Sequence, residues 1–170
     1  MSSIHIRPVE QGDLGALTDI YNHYVRETAV TFDVEPRTLE QRQAWLDGFA
    51  RTGRYRCFVA LKGGAPVGWA SSHPYHERAA YETTVLTSIY LAPDMTGQGI
   101  GRPLYTALFD GLKGEDIHRA IGMISLPNEA SIRLHDLLGF ERVGVYREVG
   151  RKFGRYLDIA TYLRPMGYQP

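Results

Sequence analysis

The chain has 170 residues, of which 44% are hydrophobic and 22% charged. That length fits one domain, and the composition can fill a core, so extended disorder is excluded. Lys and Arg total 19, as do Asp and Glu, so no general polyanion-binding surface is expected and any charged site must be local.

Met1 to Arg7 carries no signal-peptide apolar region, and no run approaches the ~20 apolar residues of a membrane span, so a cytoplasmic protein without a membrane partner is expected. Ile4 to Val9 alternates as a short strand. Asp13 is placed to cap a helix with Leu14, Leu17, Ile20, Tyr21, Tyr24 and Val25 at helical spacing. Ala29 to Phe32 is short and β-prone. Thr38 with Gln41 three residues on is a capping-box pattern; its helix carries Leu39, Trp45, Leu46 and Phe49 and is expected to end at Gly53. Two strand-like runs, Arg54 to Lys62 and Pro66 to Ser72, flank Gly63-Gly64, a hairpin signal. The single cysteine, Cys57, excludes an internal disulfide and reads as a core thiol. A loop from His73 to Arg78 leads to a third run, Thr83 to Leu91. Helices are expected over Arg102 to Leu112 and from Asn128 to Gly139, with a strand between them at Arg119 to Leu126. Val143 to Tyr146 and Tyr156 to Leu163 can pair as a last hairpin. The order predicts one α+β domain over residues 1–170, a mixed sheet flanked by helices with at least one crossover. The six histidines show no ligand spacing, so no metal is expected.

The segment Leu91 to Tyr105 carries the densest chemistry. Gly97, Gly99 and Gly101 stand at alternate positions between a strand and a helix. Glycines there let backbone N–H groups turn inward as a nest, and the helix N-terminus adds donors suited to a pyrophosphate. Arg102 can add a charge, and Pro103 suits the first helical turn. The spacing matches neither the dinucleotide fingerprint nor the Walker loop, so a plain tight connection is the alternative. In the second segment, Asn128 reads as an N-cap with Ser131 in the first turn, and Ile132, Leu134, Leu137 and Leu138 offer apolar contacts. His135 stands among them, either structural or an acid/base group.

Together these segments resemble the acetyl-CoA-binding core of the GNAT N-acetyltransferase superfamily. Thr96-Gly97-Gln98-Gly99-Ile100-Gly101 occupies the family's Q/R-x-x-G-x-G/A loop. The resemblance extends over nearly the whole chain to the phosphinothricin N-acetyltransferase group, through Tyr21 to Val25, Phe32 to Pro36, Arg78 to Tyr81, Leu126 to Asn128, Arg133 to His135 and Lys152 to Gly154. It implies a GNAT fold whose central strands splay to hold acetyl-CoA as co-substrate. Ile89, Tyr90 and Leu91 would offer backbone groups to the pantetheine arm, with the amide of Leu91 or a neighbour polarising the thioester carbonyl. The loop Gly97, Gln98, Gly99, Ile100 and Gly101, with Arg102, would hold the pyrophosphate. Asn128, and more weakly Ser131, would bind the pantetheine. A free amine would attack directly, and holding both reactants in line would provide much of the catalysis. A homodimer is implied as well.

Two positions depart from the family pattern. Thr96 stands where Gln or Arg is usual, a change that backbone contacts survive. Leu86 stands where phosphinothricin-type enzymes carry a glutamate general base, and leucine cannot accept a proton. His135 is one replacement. Glu82 acting through water is another, on Leu86's strand face by period two but about 13 Å away. Ordered water is the third. Tyr90 is a candidate acid for the leaving thiolate or a packing residue. In the loop before this strand, Arg78 would grip a carboxylate or phosphinate in a forked geometry, and His76 would add a pH-dependent cation. Phe32 and Tyr81 would wall the pocket, while Lys152 reads as a solvated charge. The expected function is acetyl transfer to the α-amine of a small acidic amino-acid analogue, of the phosphinothricin, methionine sulfoximine or methionine sulfone type, which would detoxify the acceptor. A different amine acceptor and a non-catalytic acyl-CoA-binding module are the alternatives. No nucleic-acid partner is expected.

Overall fold

Gly63 and Gly64 both take positive φ, 60° and 84°. This is the backbone of a two-residue hairpin turn. It joins β2 (Cys57–Lys62) to β3 (Ala65–Pro74), which pair antiparallel. In the computed structural model, which describes residues 3–167, the remaining strands are β1 (Ile4–Pro8), β4 (Thr84–Leu91), β5 (Arg119–Ser125), β6 (Glu141–Lys152) and β7 (Arg155–Pro165). All seven form one mixed sheet in the order β1-β2-β3-β4-β5-β7-β6. The expected α+β architecture is the one observed. None of its helices among the described residues is long and apolar enough to cross a membrane.

The helices cover the two faces of the sheet. On one face α3 (Gly101–Gly111) sets Leu104, Tyr105, Leu108 and Phe109 against Ala60, Ala70, Val85 and Ala120. Ile132 and Leu134 of α4 (Glu129–Leu137) join that core. On the other face α1 (Leu14–Glu27) packs Leu17 and Ile20 on Cys57, Val59, Leu61 and Trp69. Each such fully buried aliphatic contributes roughly 1.5–3 kcal/mol. The helix α2 (Leu39–Asp47) closes over this second face through Trp45 and Leu46.

The parallel pair β4–β5 positions the site. Its register runs only from Thr84↔Arg119 to Thr87↔Gly122. Beyond Gly122, β5 continues with β7 alone, through Met123, Ile124 and Ser125, while β4 continues with β3 up to Leu91. The two central strands therefore splay, and from Ser88 onward the β5 side of β4 has no strand partner among the described residues. Tyr24 of α1 pins the open end, its hydroxyl donating to the Leu91 carbonyl at 2.7 Å.

Several local expectations are corrected. Ala29 to Phe32 is not a strand. Its carbonyls serve side chains instead: Ser125 donates to Ala29 O and Lys152 Nζ to Thr31 O. Lys152 is accordingly buried rather than solvated, with 4% exposure. Thr38 does cap α2, and both capping-box hydrogen bonds with Gln41 form. The helix ends at Asp47, however, before Phe49 and well before Gly53. Asp13 does not cap α1 through its side chain, because its carboxylate binds the Arg7 guanidinium and the Glu10 amide.

Candidate active site

The splay opens a groove of about 700 Å³. One wall is the unpaired edge of β4, from Ser88 to Leu91, and the other is the segment from Asn128 through α4, with Ser131 in the first turn and His135 in the last. Its floor at one end is the glycine-rich turn. Gly97 and Gly99 lie there at φ 73° and 77°, with open space where a Cβ would stand. Among the described residues no side chain caps the N-terminus of α3, which leaves its first amides without a side-chain acceptor, and Gly101 and Arg102 there line the groove. Arg102 is exposed and makes no ion pair among the described residues. A nest of amides, a helix N-terminus and an uncommitted guanidinium fit an extended ligand with a pyrophosphate at one end. Gln98 is the exception in this loop. Its side chain donates to Asp94 O and accepts from Lys62 Nζ, and it does not line the groove.

Asn128 performs two tasks. Its Oδ1 accepts the Ser131 amide as the N-cap of α4, and the residue lines the groove, where its amide nitrogen is a donor. His135, one turn on from Ser131, is 3% exposed and packs among Tyr105, Phe140 and Tyr162. Its Nδ1 lies 2.8 Å from the Ser131 carbonyl, which can only accept, so Nδ1 carries the proton and Nε2 is the basic nitrogen. Nε2 lies 3.4 Å from the Tyr105 hydroxyl, which donates to Thr87. Burial pushes the imidazole pKa below 6.5, so His135 is neutral at pH 7. Among the described groove-lining side chains it alone can take up a proton at that pH.

A second cavity of about 260 Å³ lies on the α1–α2 face of the same strands. Its lining includes Ser88 and Tyr90, which also line the groove, so the two spaces adjoin at β4. Tyr90 stacks on Trp69 at 4.9 Å between ring centroids and meets Tyr21 edge-on. Burial drives its phenol pKa up, so it keeps its proton. Across the cavity stands Arg42 of α2, only 5% exposed. Its guanidinium lies 3.6 Å from the Trp45 ring centre. Burial lowers its pKa to about 10, and it remains charged at neutral pH. His73 closes the cavity, bonded to Ser71 Oγ at 2.9 Å. Desolvation first, and then the Arg42 charge, lower its pKa to about 4.

Other expected residues stand elsewhere. Glu82 precedes β4, has a side chain 62% exposed, and faces Arg54 at 3.8 Å. It does not share the strand face of Leu86 and lines neither cavity, which removes it as a base acting on the groove. His76, Arg78 and Tyr81 form an exposed loop in which Tyr81 packs on Tyr75 and His76. Phe32 lies against Gly150 of β6. None of these four lines either cavity. Arg42 and His73 were not foreseen. A signal existed for Arg42: it is the first of the helical positions 42, 45, 46 and 49, whose other members are apolar. For His73 the signal is period two from Trp69 and Ser71, which puts it on the Trp69 face of the sheet.

The model of the acetyltransferase (GNAT) family matches residues 17–140. A phosphinothricin N-acetyltransferase of Streptomyces coelicolor is 52% identical over 167 residues, covering 97% of this chain and 98% of the relative. An L-methionine sulfoximine/L-methionine sulfone acetyltransferase of Pseudomonas paraeruginosa is 36% identical, covering 92% of this chain and 91% of its own. Among solved structures, a GNAT superfamily phosphinothricin acetyltransferase from Sinorhizobium meliloti in complex with AcCoA superposes with a TM-score of 0.91. That structure is 32% identical and covers 100% of this chain and 94% of its own.

Proposed function

The chain belongs to the GNAT family of acetyltransferases and is an acetyl-CoA-dependent N-acetyltransferase, and from that premise we propose that residues 1–170 act as one catalytic unit on the α-amine of a small acidic amino-acid analogue. Phosphinothricin, methionine sulfoximine and methionine sulfone are the acceptor types. The observation that carries this reading is the 260 Å³ cavity adjoining the groove at Ser88 and Tyr90. It is aromatic-walled, cationic and of a size for one amino acid rather than a protein segment.

Bound acetyl-CoA supplies the acetyl group as a thioester. The amides of Gly97, Gly99 and Gly101, with Arg102, hold its anionic end, while Asn128 and Ser131 hold the pantetheine arm. Ile89, Tyr90 and Leu91 present backbone groups along the unpaired edge of β4. His135 accepts the amine's proton at Nε2, and Tyr90 holds a proton for the departing thiolate. Transfer is direct, since the one thiol, Cys57, is buried in β2 with its pKa raised by desolvation and lines neither cavity. The protein works as a cytoplasmic homodimer that detoxifies its acceptor by neutralising the amine. Exposed Val143, Tyr146, Val149, Phe153 and Tyr156 on the last hairpin support the dimer.

The test is thiol release from acetyl-CoA across acidic, neutral and polycationic amines, with product mass as confirmation. Selective turnover of phosphinothricin and methionine sulfoximine is expected. Turnover confined to neutral or polycationic amines would remove the acceptor assignment and leave the family and co-substrate untouched.

A further inference from the structure

A buried arginine normally has a carboxylate or several carbonyls around it, because a charge taken out of water must recover its lost hydration. Arg42 has neither. Its Nε and Nη2 are buried and have no hydrogen-bond partner among the described residues. The carboxylate of Asp33, which meets the cavity-lining Tyr21 through its hydroxyl, is already bound by the Arg37 guanidinium. Among the described residues no acidic side chain lines the cavity that Arg42 enters. Its neighbours are the faces of Trp45, Tyr21 and Trp69, at 3.6, 4.9 and 5.3 Å from ring centre to guanidinium carbon. Such faces hold the guanidinium plane in place and leave its N–H edge uncommitted.

We propose that Arg42 is the carboxylate-binding residue of this enzyme, gripping the acid group of the amine acceptor inside the aromatic cavity on the α1–α2 face of the sheet. The inference rests on the acceptor reading above and adds the residue that recognises the acid. Its planar fork matches two carboxylate oxygens, which would satisfy the donors that the fold leaves unpaired. The cavity meets the acetyl-CoA groove at Ser88 and Tyr90, so an acid anchored on Arg42 directs its amine toward β4. Arg78, the arginine expected from the sequence to do this, sits on an exposed loop outside the cavity.

The chain has two tryptophans, Trp45 and Trp69, and both line this cavity, so intrinsic fluorescence reports its occupancy directly. Methionine sulfone and its carboxamide, which keeps the amine and side chain but lacks the acid, are titrated into the full chain. Saturable quenching with the acid and binding on the order of 30-fold weaker with the carboxamide are expected for the wild type. In Arg42→Gln that ratio falls toward one, whereas Arg78→Gln keeps it. Equal wild-type affinity for the two ligands, or a ratio unchanged in Arg42→Gln, overturns the assignment. Should Arg42→Gln fail to fold, Arg42→Lys replaces it, keeping the cation without the fork. A ratio preserved there and lost in Arg78→Gln equally overturns it. Thiol release with the same two ligands separates this inference from the acceptor reading. Arg42-dependent binding without acetylation sinks the acceptor and leaves the carboxylate site standing. Acetylation of the acid with a ratio indifferent to Arg42 does the reverse.

Discussion

Leu86 faces His73 across the β3–β4 ladder, so the strand position from which a carboxylate base would act is apolar. In the proposed mechanism proton removal then falls to His135, which lines the groove from α4. His135→Gln is expected to lower kcat on the order of 100-fold, with the acetyl-CoA Kd held within about threefold. Steady-state rates and a cofactor titration check both parts. Because burial holds the His135 pKa below 6.5, the acid limb of the wild-type rate profile should lie below that value. His73 has a different consequence. Its pKa of about 4 in the folded chain stands against 6.5 when unfolded. Between those values the unfolded chain binds the extra proton, so stability is full above pH 6.5 and is lost as pH falls toward 4. The shift amounts to at most about 3 kcal/mol. Thermal melts from pH 7 to 4 should fall more steeply for the wild type than for His73→Gln, and parallel curves would show that His73 does not carry the loss.

At the scale of elements, the glycine turn before α3 works through backbone conformation rather than through space. A Cβ at Gly99 would meet nothing within 4 Å, yet φ there is 77°. An alanine in this region costs about 1–2 kcal/mol. If the turn must hold that shape to present its amides, Gly99→Ala should weaken acetyl-CoA binding roughly tenfold. Calorimetric titration would show it, and unchanged affinity would mean that the turn is not part of the cradle. This turn was legible in the sequence because glycine spacing between a strand and a helix is a local signal. So were the capping box of α2 and the Gly63-Gly64 hairpin. What escaped was set by partners far along the chain. Lys152 is buried because the Thr31 carbonyl, 121 residues away, receives it. Arg42 looks like a solvated helical charge until α2 is laid over Trp69. The segment Ala29 to Phe32 has strand propensity but finds side-chain donors in place of a ladder.

Across the whole molecule, the sheet divides the labour between its faces. The α3–α4 side and the splayed strand ends form the groove proposed for the co-substrate, the α1–α2 side carries the cationic cavity, and β4 is the wall common to both. That arrangement leaves the far edge of the sheet to a different task. The strand β6 is an edge strand of 12 residues, and Val143, Tyr146 and Val149 along it are 58–59% exposed. Phe153 at the turn and Tyr156 on β7 extend the apolar surface. A long apolar edge invites strand addition, yet the β6–β7 ladder shifts register between Arg142 and Gly144 and again between Tyr146 and Gly150. Such irregularities kink an edge and discourage pairing with a further strand. The proposed homodimer should therefore form through side chains of this hairpin rather than through a continuous sheet. Light scattering on the eluting protein should give twice the 19.1 kDa chain mass, and Tyr146→Glu with Val149→Glu should halve it. A wild-type mass of one chain at micromolar concentration would end the dimer proposal. A dimer unmoved by the double substitution would place the contact on another face.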